Sequence, residues 1–279
     1  MQIINHLAPL RDKIAELRSE GRSIALVPTM GALHQGHIEL VKSAQKLADI
    51  VVTSIFVNPT QFGEGEDLDA YPRTLESDAE MVAAEGGQLI WAPPASEVYT
   101  PGFSTSVRVN GLSDEYCGTA RPGHFEGVAL IVTKLFNQVR PDHAFFGEKD
   151  WQQLAVIKRL AIDLDFTTQV HGVPIVRDDD GLAMSSRNRY MTKEQRAAAV
   201  ALPQALQQAR DDIRGGVDVE RAIATARKRL VEAGYNDADY LALVDAVSLK
   251  QIGQTIDTPM RLIAAAMIGK SRLLDNLAV

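Results

Sequence analysis

The stretch Pro28-Thr29-Met30-Gly31-Ala32-Leu33-His34-Gln35-Gly36-His37 sets two imidazoles three residues apart, just after the apolar run Ile24-Ala25-Leu26-Val27. If a helix begins there, both rings can reach one bound group. A helix start also offers unpaired backbone N–H groups and a partial positive charge, and Gly31 and Gly36 let an anion approach the backbone. Phosphate is the natural guest. The same residues also suit a capping turn with two solvated histidines, or a metal pair.

Other side chains with chemistry recur at strand ends and helix starts. Lys149, in Gly147-Glu148-Lys149-Asp150, stands at a second strand-to-helix junction, where it either adds a cation to a phosphate site or is simply solvated. Asp150 is placed to cap the helix that follows. Arg121 could fork onto a carboxylate or phosphate, or form a surface ion pair, and His124 reads as structural. Asn58 and Gln61 follow a strand, where open α/β sheets place ligands; Asn58 also fits plain turn chemistry. Asp78 is either a metal-proximal carboxylate or an exposed helix acid. With the small, polar loop Met184-Ser185-Ser186-Arg187, three phosphate-compatible elements stand in loops. No Walker lysine motif and no three-glycine dinucleotide fingerprint occurs, so P-loop and ordinary dehydrogenase readings fall.

The elements that must position these groups alternate. Helical spacing at Leu10, Ile14 and Leu17 ends at Gly21, and apolar positions recur at helical spacing over 37–48. Residues 50–57 form a β-branched run suited to an interior parallel strand. A helix ending near Glu85, strands at 88–91 and 142–147, helices at 128–139 and 151–164, and a strand at 168–174 continue the pattern. Residues 104–109 alternate like an edge strand, and 63–69, acidic and glycine-containing, read as a mobile flap. The pattern predicts an α/β fold, a Rossmann-like doubly wound parallel sheet over 1–176. A smaller α+β unit follows over 177–279, with helices at 192–214 and 219–233 and strands at 240–244 and 261–268. Thr192 and Gln195 form a capping box before the first of these helices.

Composition excludes several classes. The net charge of −7 disfavours general nucleic-acid binding. Cys117 is the only cysteine, so no intrachain disulfide forms and a reducing cytoplasm is expected. No signal-like N-terminus and no membrane-length apolar run is present.

Six motifs in order, Pro28-Thr29-Met30-Gly31, Phe56-Val57-Asn58-Pro59-Thr60-Gln61-Phe62, Tyr71-Pro72-Arg73-Thr74, Arg121-Pro122-Gly123-His124-Phe125, Phe146-Gly147-Glu148-Lys149-Asp150 and the stretch 181–188, closely resemble pantothenate synthetases, also called pantoate:beta-alanine ligases. These belong to the nucleotidylyltransferase superfamily. His34-Gln35-Gly36-His37 is similar to its HxGH signature, and Ala183-Met184-Ser185-Ser186-Arg187 to its KMSKS-type loop. Ala183 and Ser186 replace that loop's lysines, as is usual in pantothenate synthetases, so positive charge there must come from Arg187.

The resemblance implies ATP-dependent condensation of pantoate with beta-alanine through a pantoyl adenylate, releasing AMP and pyrophosphate, with magnesium on the phosphates. It assigns Met30, Gly31, Ala32, Leu33, His34, Gln35, Gly36, His37, Gly147, Glu148, Lys149, Asp150, Val176, Met184, Ser185, Ser186 and Arg187 to ATP. Gln61 and Gln153 would hold pantoate, with Gln61 also near beta-alanine, and Asn58 and Arg121 join them as substrate-binding candidates. Gln153 lies about one helical turn beyond Lys149, so both can face one cleft. His37 would be the proton donor, and His34, His37, Lys149, Ser185, Ser186 and Arg187 would neutralise the phosphates. The family further implies a C-terminal lid domain and a homodimer, to which residues 104–109 could contribute. The rival reading is another small-molecule nucleotidylyltransferase.

Overall fold

Ile24-Ala25-Leu26-Val27 and Val51-Val52 are apolar at consecutive positions, which only strands covered on both faces can bury. In the computed structural model, which describes residues 1–279, they lie inside a six-stranded parallel sheet. In chain order its elements are β1 (Gln2–Ile4), α1 (Leu7–Ser19), β2 (Ile24–Thr29), α2 (Gln35–Gln45), β3 (Ile50–Ile55), α3 (Leu75–Ala84) and β4 (Leu89–Trp91). Two short helices, α4 (Ala95–Val98) and α5 (Cys117–Ala120), precede α6 (His124–Val139), β5 (His143–Gly147), α7 (Trp151–Asp163) and β6 (Gln169–Val173).

Period-two alternation divides each strand between two layers. Ile24, Leu26, Val52, Ala144 and Phe146 pack with α1, α6 and α7, whereas Ala25, Val27, Val51 and Phe145 pack with α2. The sheet order is β1-β4-β3-β2-β5-β6, so the chain winds one way from β2 and later returns to add β5 and β6 on the other side. A crevice opens where the winding reverses, beyond the C-terminal ends of β2 and β5. Asp142 ties these strands together, accepting from Ile24 N at 2.7 Å and from Arg18 Nη1 at 2.6 Å.

The remaining chain forms α8 (Lys193–Ala199), α9 (Ala201–Arg214), α10 (Val219–Glu232) and the antiparallel sheet β7 (Ala238–Asp245), β8 (Met260–Ile268) and β9 (Ser271–Ala278). Leu241, Leu243, Leu262 and Leu273 bury one face of that sheet against α9 and α10. Tyr240, Ala242, Val244 and Ile263 turn the other way, toward Tyr116 and Trp151 of the parallel-sheet unit. No helix is long and apolar enough to cross a membrane.

Three expectations need correction. Residues 104–109 form no strand: Val107 and Val109 pack on the main core, which accounts for the alternation, but no neighbouring strand pairs with them. The expected helix over 192–214 breaks at Val200. Pro203 has no N–H to give to the Ala199 carbonyl, and the Tyr235 hydroxyl donates to that carbonyl instead, at 2.7 Å. Asp150 stands at the start of α7 but its carboxylate caps nothing, because the chain enters through the 3-10 turn Glu148–Asp150. The short β1 and the whole of β9 were not foreseen, while the capping box of Thr192 and Gln195 is present.

Candidate active site

The turn between β2 and α2 is held from below. Gly31 has φ +85°, a backbone conformation that favours glycine. Asp78, on α3, accepts from Ala32 N at 3.0 Å and Leu33 N at 2.8 Å, and from the Thr74 hydroxyl at 3.1 Å. It is 2 % exposed, so it is neither an exposed helix acid nor a free metal ligand. Buried amides need partners, and Asp78 supplies them for this turn.

The helix start is closed in the same way. His34 Nδ1 accepts from Gly36 N at 3.1 Å, and His37 Nδ1 accepts from His34 N at 3.3 Å, a capping box made of two imidazoles. The amides of Gly36 and His34 are therefore engaged within the protein and are not free for a ligand. Because both Nδ1 atoms accept, each neutral ring carries its proton on Nε2 and is a donor there. Burial, with Lys149 and Arg189 nearby, lowers the His34 pKa to about 4; burial, with His34 and Lys149, lowers that of His37 to about 3. The ring centroids lie 4.1 Å apart. Gly36 permits this, since a Cβ there would sit 2.9 Å from the His34 ring.

Both imidazoles line a cavity of about 270 Å³ that spans the crevice and reaches the C-terminal sheet. Lys149 joins them from the β5–α7 junction, its Nζ 3.7 Å from Asp150 Oδ1. From the loop after residue 183 come Met184, Ser185, Ser186 and Arg187. Ser185 Oγ accepts from Arg187 N at 3.3 Å, Ser186 Oγ lies 3.5 Å from Tyr71 Oη, and the Val176 carbonyl accepts from Met184 N at 3.0 Å. Arg189, which no sequence motif singled out, reaches the Leu33 carbonyl at 3.5 Å.

The opposite wall carries the amides. Asn58 is buried, and all its polar capacity is engaged within the protein: Nδ2 donates to Gln61 Oε1 and the Gly127 carbonyl, and Oδ1 accepts from Tyr99 Oη and Thr60. It thereby holds Gln61, whose Nε2 lies 2.9 Å from Met30 Sδ, while itself lining the cavity. Gln153 also lines the cavity. Arg121 forks onto Glu66 with two 2.6 Å bonds, a largely buried ion pair within the protein rather than an exposed one, so in this structure its anion is a side chain of the same chain. His124 accepts from Arg121 on Nε2 and donates from Nδ1 to the Gln61 carbonyl at 2.8 Å, the opposite tautomer to His34. The 63–69 loop thus carries Glu66 to Arg121 and Asp67 to Arg187.

The structure brings Met30, His34, Gly36, His37, Gly147, Lys149, Asp150, Val176 and the 184–187 loop to one cavity with Asn58, Gln61, Arg121 and Gln153. Gly31, Ala32, Leu33, Gln35 and Glu148 do not line it. Ala32 and Leu33 are buried beneath the turn, Gln35 reaches outward to Glu39, and Glu148 faces Arg261. Asp275 and Asn276, from β9, line it without having been foreseen, since nothing in their local sequence marks them.

A doubly wound parallel sheet whose reversal point gathers two imidazoles, a lysine and an arginine is an α/β protein built to handle phosphate. The profile of the family described as pantoate-beta-alanine ligase matches residues 2–278. A pantothenate synthetase of Rhizorhabdus wittichii is 57% identical over 279 residues, covering all of this chain and 99% of the relative. The crystal structure of pantothenate synthetase from Thermus thermophilus superposes with a TM-score of 0.94 at 42% identity, covering 99% of each chain. A pantoate-beta-alanine ligase from Francisella tularensis, complexed with beta-gamma ATP and beta-alanine, matches with a TM-score of 0.85 at 31% identity, covering 100% of this chain and 97% of that one. The chain belongs to the pantoate-beta-alanine ligase family, and it is a ligase.

Proposed function

We propose that this chain condenses (R)-pantoate with beta-alanine, using ATP, and forms pantothenate, AMP and pyrophosphate by way of a pantoyl adenylate. The observation that carries the reading is the pair of Nε2–H donors on His34 and His37, fixed by their capping box beside Lys149. In the first step a pantoate carboxylate oxygen bonds to the α-phosphorus as the bond to pyrophosphate breaks. The carboxylate is already anionic, so this step needs positioning and charge neutralisation rather than a base. His34, His37, Lys149, Ser185, Ser186 and Arg187 supply it, and Gln61 and Gln153 hold pantoate. His37 is neutral before ATP arrives; the incoming phosphates raise its pKa and fit it to donate to the departing pyrophosphate. In the second step the beta-alanine nitrogen bonds to the acyl carbon, loses a proton, and AMP leaves.

Magnesium fits this donor set as a guest of the phosphates. No three His, Cys, Asp or Glu side chains converge as a metal cage, but magnesium commonly keeps its waters and takes one carboxylate besides phosphate. Asp150 would be that carboxylate, since the other acidic residue in the wall, Asp275, is locked to Arg177. The ion would supply neutralisation of phosphate charge. Residues 1–176 would bind nucleotide and pantoate, and residues 177–279 would act as the lid that keeps water from the adenylate. A cytoplasmic homodimer completes the reading.

A mass-spectrometric product assay with ATP, magnesium and pantoate, run with and without beta-alanine, tests it. Pantothenate and AMP are expected only with beta-alanine, and pantoyl adenylate without it. Folded protein that binds ATP yet forms neither would turn the reading toward another nucleotidyl acceptor.

A further inference from the structure

Lys149 sits on a turn of three residues, Glu148–Asp150, and nothing in its own neighbourhood of the sequence explains why that turn holds still. The answer comes from the other end of the chain. Alternation along β9 puts Arg272, Leu274 and Asn276 on the face toward the parallel-sheet unit. Asn276, 3 % exposed, donates from Nδ2 to the Glu148 carbonyl at 2.8 Å and to the Lys149 carbonyl at 3.0 Å. Its orientation is set by chemistry: Arg261 donates to Oδ1, and a guanidinium has no acceptor, so the NH2 end must face the two carbonyls. Arg261 in turn stacks 3.4 Å over the Trp151 ring and lies 3.7 Å from the Glu148 carboxylate. One residue earlier, Asp275 is held by both terminal nitrogens of Arg177, at 2.7 and 2.8 Å, and accepts the Asn276 N–H at 2.7 Å.

We propose that Asn276 is a positioning residue for Lys149: docking of the C-terminal sheet is what sets the lysine against the two imidazoles. This rests on the reading above in which Lys149 acts on phosphate. Lys149 is close enough to both imidazoles for its charge to lower their pKa values, so a shift of the turn changes the field at both rings. The first-step machinery therefore depends on a strand that carries none of it.

The test is a double-mutant cycle on adenylate formation, read as pyrophosphate released in a single turnover. Asn276→Asp keeps the shape and the acceptor for Arg261 but cannot donate to the carbonyls. It is expected to slow the step about ten- to a hundredfold, the scale of a misplaced catalytic group, with the melting temperature changed by only a few degrees. On a Lys149→Met background the same substitution should cost less than about twofold, because the group it positions is gone. Equal losses on both backgrounds, or full activity of Asn276→Asp alone, would overturn the proposal. Full activity of Lys149→Met would instead sink the phosphate reading of Lys149. Should Asn276→Asp not fold, Asn276→Ser, which keeps one donor, is carried through the same cycle with a smaller loss and the same deciding comparison.

Discussion

Asp67 Oδ1 accepts a 2.9 Å hydrogen bond from Arg187 Nη2, joining the acidic 63–69 loop of the first unit to the serine-rich loop that begins the second. Both side chains are more than two-thirds buried. If Arg187 meets a phosphate as proposed, ATP must displace the Asp67 carboxylate to engage the guanidinium. Asp67→Asn should tighten ATP binding about two- to fivefold in the absence of pantoate, the scale of one partly exposed ion pair. It should also raise hydrolysis of the adenylate, because the loop is less firmly held. Titration calorimetry reads the first effect and AMP release without beta-alanine the second; unchanged ATP affinity would mean the pair does not compete with nucleotide.

Asp78 holds two amides of the His34 turn from a distance of 45 and 46 residues in sequence. Asparagine in its place keeps the volume but weakens charge-assisted bonds and can turn an N–H toward an N–H. Asp78→Asn is expected to lower stability by about 2–3 kcal/mol, measurable as a shifted urea midpoint at constant slope. Weaker ATP binding should accompany it, since the imidazole pair rides on that turn. A stable variant with normal ATP binding would show that the turn supports itself.

His34, His37 and His124 all titrate well below the ordinary histidine value of 6.5, at about 4, 3 and 4, chiefly because each is buried. For groups with lowered folded-state pKa, the unfolded chain takes up protons first as pH falls. Their contribution to stability is complete above about 6.5 and is lost progressively toward about 3–4. The melting temperature should therefore drop by several degrees between about pH 7.5 and about pH 5, and His37→Gln should flatten part of that slope. A melting temperature indifferent to pH over this range would contradict the burial of neutral rings.

What could be read beforehand was whatever is local. The β2 run, the spacing of His34 and His37, and the capping box of Thr192 each declare themselves within a few residues. The six motifs pointed to the family for the same reason. What escaped was whatever one residue does for another far away. Free amides were expected at the His34 turn because Asp78 lies too far along the chain to be suspected as their partner. Arg121 and Arg187 were legible as anion binders, but not that Glu66 and Asp67 would be the anions they hold. β9 went unseen because Ser271, Asp275 and Asn276 interrupt its apolar pattern, and all three bond to groups outside their own sheet. The break at Val200 was readable in principle from Pro203, but not the Tyr235 hydroxyl that makes it tolerable.

The neighbours β2 and β5 pair Ala25 with His143, and the Asp142 carboxylate beside them reaches Ile24 across 118 residues of chain. Closing so long a loop is slow, and parallel strands so far apart meet only after local hairpins and helices have formed. The crevice between them is thus expected to form late in folding. Intermediates that already contain β2, α2, β3 and β4 would carry the His34 turn with no Lys149 opposite it, so catalytic competence should appear in the last kinetic phase of refolding rather than with the bulk of the secondary structure.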